Sequence, residues 1–182
     1  MPMIEVEKQF WLSDKQKARL ISGADFWDKQ IMHDIYYDTP DHTLGLQDKW
    51  LRKRNGGFEL KVFDLGQGDE MYYASELLLE EEIREAIDLP KTNNQLEHDL
   101  EHAGFEPFVS FTTTRKKYKI NEFTIDIDEV DYGYRVCEIE LMVSSGGEVT
   151  TATHKIVEFA ESMGLLESAV YDKVSEYLRR ND

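Results

Sequence analysis

Ile4-Glu5-Val6-Glu7 decides how the rest of this chain is read. Two carboxylates flank one apolar residue. In a β-strand the side chains i and i+2 share a face, so Glu5 and Glu7 point one way and Val6 the other. The same spacing returns in Arg52-Lys53-Arg54, Glu59-Leu60-Lys61, Asp126-Ile127-Asp128 and Glu138-Ile139-Glu140. Five strands therefore each aim two charged groups at one side of a sheet. The opposite face carries Val6, Leu51, Leu60, Ile125, Ile127 and Ile139. Unpaired charges are too costly for a packed sandwich core. The pattern predicts an α+β chain: an eight-stranded antiparallel barrel with a wet, charged interior and helices packed on its outside.

The other elements follow from local signals. Strands are expected at Ile4–Trp11, Trp27–Asp38, Lys49–Arg54, Phe58–Phe63 and Met71–Ser75, then at Phe108–Ile120, Phe123–Asp128 and Tyr134–Val143. Leu44–Leu46 reads as a short strand or turn. Asn55-Gly56-Gly57 is a strong hairpin signal, and Gly66-Gln67-Gly68, Asn121-Glu122 and Tyr132-Gly133 read as further turns. Ser13-Asp14-Lys15-Gln16 is a capping box that opens a helix, which ends near Gly23. Glu76–Ile87, Asn94–Ala103, Thr151–Met163 and Ser168–Arg180 have helical patterns, and Gly104 is a helix-end candidate. No repeat, low-complexity run or linker interrupts the 182 residues, so one domain over 1–182 is expected.

Composition narrows the function. A net charge of −16 disfavours nucleic acid as a partner. The first residues lack a basic region followed by an apolar run, and no stretch approaches the ~20 apolar residues of a membrane span. A cytoplasmic protein that does not engage membranes is expected, and a monomer. The single cysteine, Cys137, excludes an intrachain disulfide and reads as a packed thiol.

The carboxylates Glu5, Glu7, Asp126, Asp128, Glu138 and Glu140 are hard oxygen ligands with no His or Cys among them. That favours Mg²⁺ or Mn²⁺ over zinc. Any single pair alone reads better as the solvated face of an open sheet, but five strands together favour a charged cavity. Arg52, Arg54 and Lys61 stand on adjacent strands across the Asn55-Gly56-Gly57 turn, and Arg115, Lys117 and Lys119 share one face of another. Arginine forks suit phosphate oxygens; surface ion pairing is the plainer role for at least one of Lys117 and Lys119. Trp50 lies two residues before Arg52, on the charged face. It fits stacking on a cationic ring and packing at the barrel mouth about equally. His98-Asp99-Leu100-Glu101-His102 matches an H-x-x-E-H zinc spacing, but no third ligand is evident, so a solvated helix face is the better reading.

These residues resemble the CYTH, or triphosphate tunnel metalloenzyme, family over essentially the whole chain. The resemblance runs through Ile4–Glu7, Tyr36–Pro40, Trp50–Arg54, Phe58–Lys61, Ser75–Leu77, Ser110-Phe111 with Arg115, Ile125–Asp128, Tyr132–Tyr134, Glu138–Glu140 and Lys173 before Tyr177-Leu178. Within the family the chain is most similar to the animal-type branch acting on thiamine triphosphate. The resemblance implies an eight-stranded tunnel that hydrolyses or cyclises small-molecule triphosphates with a divalent metal. By it, Glu5, Glu7, Asp126, Glu138 and Glu140 hold Mg²⁺, with Mn²⁺ as a substitute. Arg52, Arg54, Lys61, Arg115 and Lys173 grip the triphosphate, and Trp50 stacks on thiamine. Asp126, Asp128 and Glu138 form the catalytic group, with Asp128 orienting or deprotonating the attacking water. One departure stands out. The family signature ExExK becomes Glu5-Val6-Glu7-Lys8-Gln9, so Gln9 takes the inward position with a neutral amide while Lys8 points out. Inorganic tripolyphosphate as substrate, and a non-catalytic polyphosphate- or nucleotide-binding module, are the alternatives.

Overall fold

The computed structural model describes residues 4–65, 72–165 and 170–181. Eight antiparallel strands form its sheet: β1 Ile4–Phe10, β2 Asp25–Asp38, β3 Lys49–Arg54, β4 Gly57–Leu65, β5 Tyr72–Leu77, β6 Glu106–Ile120, β7 Phe123–Val130 and β8 Arg135–Val143. Their hydrogen-bonded order is β1-β8-β7-β6-β2-β3-β4-β5. The eight antiparallel strands and accompanying helices match the α+β expectation. The order is linear, with β1 and β5 at its ends, rather than a ring closed by hydrogen bonds. Both edges are short, which limits the unpaired backbone they present.

The chain divides into two compact units, Met1–Met32 with Thr112–Asp182, and His33–Phe111. In the first, helix α4 (Val149–Ser162) covers β1 and β8. Its buried Val149, Ala152, Ile156 and Ala160 recur at helical spacing. The strand residues between the charges, Val6, Ile125, Ile127 and Ile139, are buried in this unit. Cys137 is buried with them. In the second unit Tyr37, Leu44, Leu51 and Leu60 pack with Ile83, Leu89, Leu96 and Leu100. The last four come from and around helices α2 (Glu80–Ala86) and α3 (Leu96–His102).

Helix α1 (Asp14–Ile21) starts at the expected capping box, with Ser13 accepting from the Gln16 N–H and Gln16 reaching back. The β3–β4 turn is made by Asn55 (φ 48°) and Gly56 (φ 95°), the left-handed pair a two-residue hairpin requires. Gly104 (φ 87°) follows α3 at the position that favours glycine.

Leu44–Leu46, expected as a short strand or turn, falls at a 3₁₀ turn over Gly45–Gln47. Other boundaries differ from expectation. Glu76 and Leu77 are strand, not helix: Glu76 pairs with Lys61 and Leu77 with Leu60. Cross-strand charge pairing and burial override the local helical preference there. The helix starts at Glu80, where Glu80, Glu81 and Glu82 favour the positive end of the helix dipole. The last helix, α5, runs Lys173–Asn181. It starts where the Asp172 carboxylate accepts from the Ser175 N–H at 2.9 Å, a capping contact. The expected start at Ser168 and the Gly66–Gly68 turn lie outside the described residues, as does Met71.

Candidate functional site

Register carries the charges to common faces. β1 sets Glu7 opposite Glu140 and Gln9 opposite Glu138. β7 sets Asp126 opposite Glu138. β6 sets Arg115 opposite Asp128 and Lys117 opposite Asp126. Cross-strand partners share a face. One face of the first unit therefore carries Glu7, Gln9, Arg115, Lys117, Asp126, Asp128, Glu138 and Glu140. Lys8 pairs with Ile139 on the opposite face.

Carboxylate oxygens of Asp126, Glu138 and Glu140 lie within 4.8 Å of one another, as do those of Glu5, Glu7 and Glu140. Glu140 belongs to both triads. Asp126, Asp128, Glu138 and Glu140 are all buried. Arg115 spans this group. Its Nη1 lies 2.6 Å from Asp126, its Nε and Nη2 fork onto Asp128 at 2.7 and 2.8 Å, and its Nη2 also donates to Glu138. Lys117 donates to Asp126 and lies 4.0 Å from Glu140. Lys173, the first residue of α5, donates to Asp128 and lies 3.2 Å from Glu138. Gln9 Nε2 donates to Glu138 at 3.3 Å. Lys119 turns to Thr124 (2.8 Å) and the face of Trp27 (4.4 Å) instead.

The electrostatics are uneven. Burial, followed by the charges of Asp126 and Glu5, pushes the Glu140 carboxyl up to about 8, against the pull of Lys117 and Arg115. Burial opposes the charge on Arg115, but Glu138, Asp128 and Asp126 outweigh it and hold the guanidinium protonated. Lys173 is raised in the same way by Glu138 and Asp128. Asp126 Oδ1 is buried and has no hydrogen-bond partner among the described residues. A buried carboxylate oxygen left bare is costly. It sits in an all-oxygen donor set, which suits Mg²⁺ or Mn²⁺. The residues thus fit a divalent ion held by Asp126, Glu138 and Glu140 and, through Glu140, by Glu5 and Glu7.

The second unit has its own charged face. Arg54 forks onto Asp34 at 2.7 and 2.9 Å. Arg52 donates to Glu59 at 2.7 Å and to Glu76 at 3.2 Å. Burial works against the charge on Arg52, but Tyr36, Glu59 and Asp34 raise its pKa on balance. Trp50 is half-buried and pairs with Lys61 across the hairpin, and Lys61 Nζ lies 5.2 Å from the Phe63 ring. Trp50, Arg52, Arg54, Glu59 and Lys61 alternate with Leu51, Lys53 and Leu60, so one face of β3 and β4 is charged and aromatic. On the other, Lys53 bonds Glu97 at 2.7 and 2.8 Å.

The tyrosine-rich stretch Tyr36–Pro40 ends in a backbone device. Buried Asp38 accepts from the N–H groups of Thr39, Leu44 and Gly45 at 2.8, 3.0 and 2.9 Å. The H-x-x-E-H stretch is likewise architectural. Asp99 pairs with buried Arg84 at 2.8 Å, and Thr92, Asn94 and Arg84 hold its carboxyl well below the usual range.

Lys117 is the residue that sequence reasoning left out of the site. Its signal was present in part: it stands two residues after Arg115 on the same strand face, and the register then sets it opposite Asp126. Asp128, expected to act on water, has its oxygens engaged by Arg115 and Lys173.

The CYTH domain family matches residues 3–172. The chain belongs to the CYTH family. Human thiamine-triphosphatase is 29% identical over 98% of this chain and 85% of its own length, and the enzyme of Macaca fascicularis is equally similar over the same shares. Among solved structures, the PH1819 protein of Pyrococcus horikoshii superposes with a TM-score of 0.72 at 23% identity, covering 97% of this chain and 99% of that one. HpAC1 of Hippeastrum, an adenylyl cyclase candidate with a dominant triphosphatase activity, superposes at 0.59 with 17% identity, over 96% and 94%. Both show the fold. Among the described residues no helix is long and apolar enough to cross a membrane.

Proposed function

We propose that this CYTH protein hydrolyses thiamine triphosphate to thiamine diphosphate and phosphate with Mg²⁺, for which Mn²⁺ can substitute. The observation that carries the reading is Asp126 Oδ1, which lies buried beside Glu138, Glu140 and Arg115 with no hydrogen-bond partner among the described residues. A carboxylate group this deficient in positive charge is built for a cation, and a cation there attracts a polyphosphate.

When bound, the ion would offset phosphate charge and lower the pKa of a water ligand. Arg115, Lys117 and Lys173 would bind phosphate oxygens and stabilise the charge that develops on the transferring group. Asp128 holds Arg115 and Lys173 in place for that task. Water oxygen bonds to the terminal phosphorus, the bridging P–O bond breaks, and the electron pair leaves with thiamine diphosphate. The released water proton passes to solvent or a phosphate oxygen. In the second unit Arg52, Arg54 and Lys61 are assigned to phosphate oxygens and Trp50 to the cationic thiazolium ring, as the family resemblance implies. The 29% identity to human thiamine-triphosphatase supports this substrate over others.

Phosphate release measured with Mg²⁺ from thiamine triphosphate, tripolyphosphate and ATP, side by side, tests the reading. Preference for thiamine triphosphate is expected. Preference for tripolyphosphate would remove thiamine from the assignment and keep the chemistry. Binding of all three without release would make the chain a polyphosphate-binding module, with Gln9 in place of the family lysine as the first suspect.

A further inference from the structure

Lys173 reaches the carboxylates from the first turn of α5, next to a stretch of chain without regular structure. A helix end in that position frays unless something holds it. Two side chains from the β7–β8 turn do so. Tyr132 Oη donates to the Lys173 carbonyl at 2.6 Å, and Tyr134 Oη donates to the Tyr171 carbonyl at 2.7 Å. The grip is reciprocal, because Arg180 near the other end of α5 donates to the Tyr132 carbonyl at 2.9 Å. Arg180 is fixed in turn by Glu176 at 2.7 Å.

The rings reinforce this. Tyr132 and Tyr134 stack at 6.2 Å with planes 6° apart, and Tyr177 of α5 meets Tyr132 edge-on at 5.4 Å. The Arg180 guanidinium lies over both rings at 5.4 and 5.6 Å. Burial raises both phenols, Tyr134 to about 12, so both stay protonated donors at ordinary pH. Gly133 between them takes φ 83°, which lets the two tyrosines flank a tight turn.

The arrangement forms a closed circuit. The hairpin that presents Asp128 and Glu138 to the Lys173 ammonium also grips the Lys173 backbone. We propose that Tyr132 and Tyr134 are positioning residues that set Lys173 against Asp128 and Glu138, and so control its hold on the substrate's phosphate. This rests on the triphosphatase reading for its effect on turnover, but not for the clamp itself.

Two arms test it. In kinetics, Tyr132→Phe is expected to lower kcat/KM about fivefold, the scale of one neutral hydrogen bond, mostly through KM, with Tyr134→Phe somewhat weaker. In a Lys173→Ala background Tyr132→Phe should cost less than about twofold more. A full fivefold loss repeated in that background would overturn the proposal, because the tyrosine would then act through something other than Lys173. The second arm needs no activity. In a Lys173→Cys background the new thiol is labelled with a maleimide; Cys137 is buried with its thiol pushed up, so it stays silent. Adding Tyr132→Phe should speed labelling several-fold, and equal rates would overturn the clamp. Should the wild type release no phosphate, the functional reading fails and the labelling arm still decides.

Discussion

The two charged faces differ in how their charges balance. In the second unit Arg52, Arg54 and Lys61 stand against Asp34, Glu59 and Glu76, and both arginines are engaged at 2.7 Å. In the first, Glu5, Glu7, Asp126, Asp128, Glu138 and Glu140 face Arg115, Lys117 and Lys173. Carboxylates outnumber cations among these residues, and among the described residues Asp126 Oδ1 is left without a hydrogen-bond partner and the Glu140 carboxyl is raised. A matched set holds itself together. A surplus of buried like charge waits for a counter-ion. The difference separates a face whose charges are paired from a face whose carboxylates fit a divalent cation.

Changes in the acid surplus should have the largest effect. Glu138→Gln removes a proposed metal ligand and the carboxylate charge that Arg115, Lys173 and Gln9 face, and turnover should fall by about a thousandfold in phosphate release. Full activity would sink the metal assignment. On the matched face the loss should be selective rather than general. Trp50→Ala is expected to raise KM for thiamine triphosphate about tenfold, the scale of one stacking contact, and to leave tripolyphosphate nearly unchanged. Equal losses on both substrates would make Trp50 a packing residue.

The departure at Gln9 sharpens the contrast further. Gln9→Lys adds a cation to the deficient face, and KM should fall about fivefold by a charge-assisted contact. Lys8→Ala, on the opposite face, should change KM by less than about twofold; a larger loss would mean that Lys8 reaches the site.

The surplus also predicts a pH dependence in metal-free protein. Glu140 titrates near 8 when folded and near 4.5 in the unfolded chain, so the folded state holds more protons between those values. Its contribution to stability is therefore intact below about 4.5 and is lost as pH rises toward about 8. Thermal midpoints measured in EDTA should fall across that window. Glu140→Gln should flatten the fall, and Mg²⁺ should reverse it.

Much of this was legible in residue order. The i,i+2 charges, the capping box at Ser13 and the Asn55-Gly56 turn each carry their own geometry, because two-residue alternation and left-handed φ are local properties. The family motifs added the candidate metal and phosphate residues. Glu76 and Leu77 were misread because their acidic, helix-like neighbourhood conceals cross-strand partners some 15 residues away. Residues 170–172, read as part of the last helix, precede its start at Lys173, because the Asp172 cap is one carboxylate among many. The decoy at His98–His102 shows the same limit from the other side: only the contact with Arg84 reveals Asp99 as an internal strut.

What the sequence determined by itself is which side chains share a face of each strand, since that follows from backbone pleating alone. It thereby determined that the chain would gather carboxylates and cations on sheet faces with apolar residues behind them. What only the tertiary structure decided is who meets whom. Strand register put Lys117 against Asp126, the docking of α5 gave Asp128 to Lys173, and the β7–β8 turn clasped that helix. These outcomes depend on pairings between distant segments, and their energies come from burial and desolvation that no local pattern encodes.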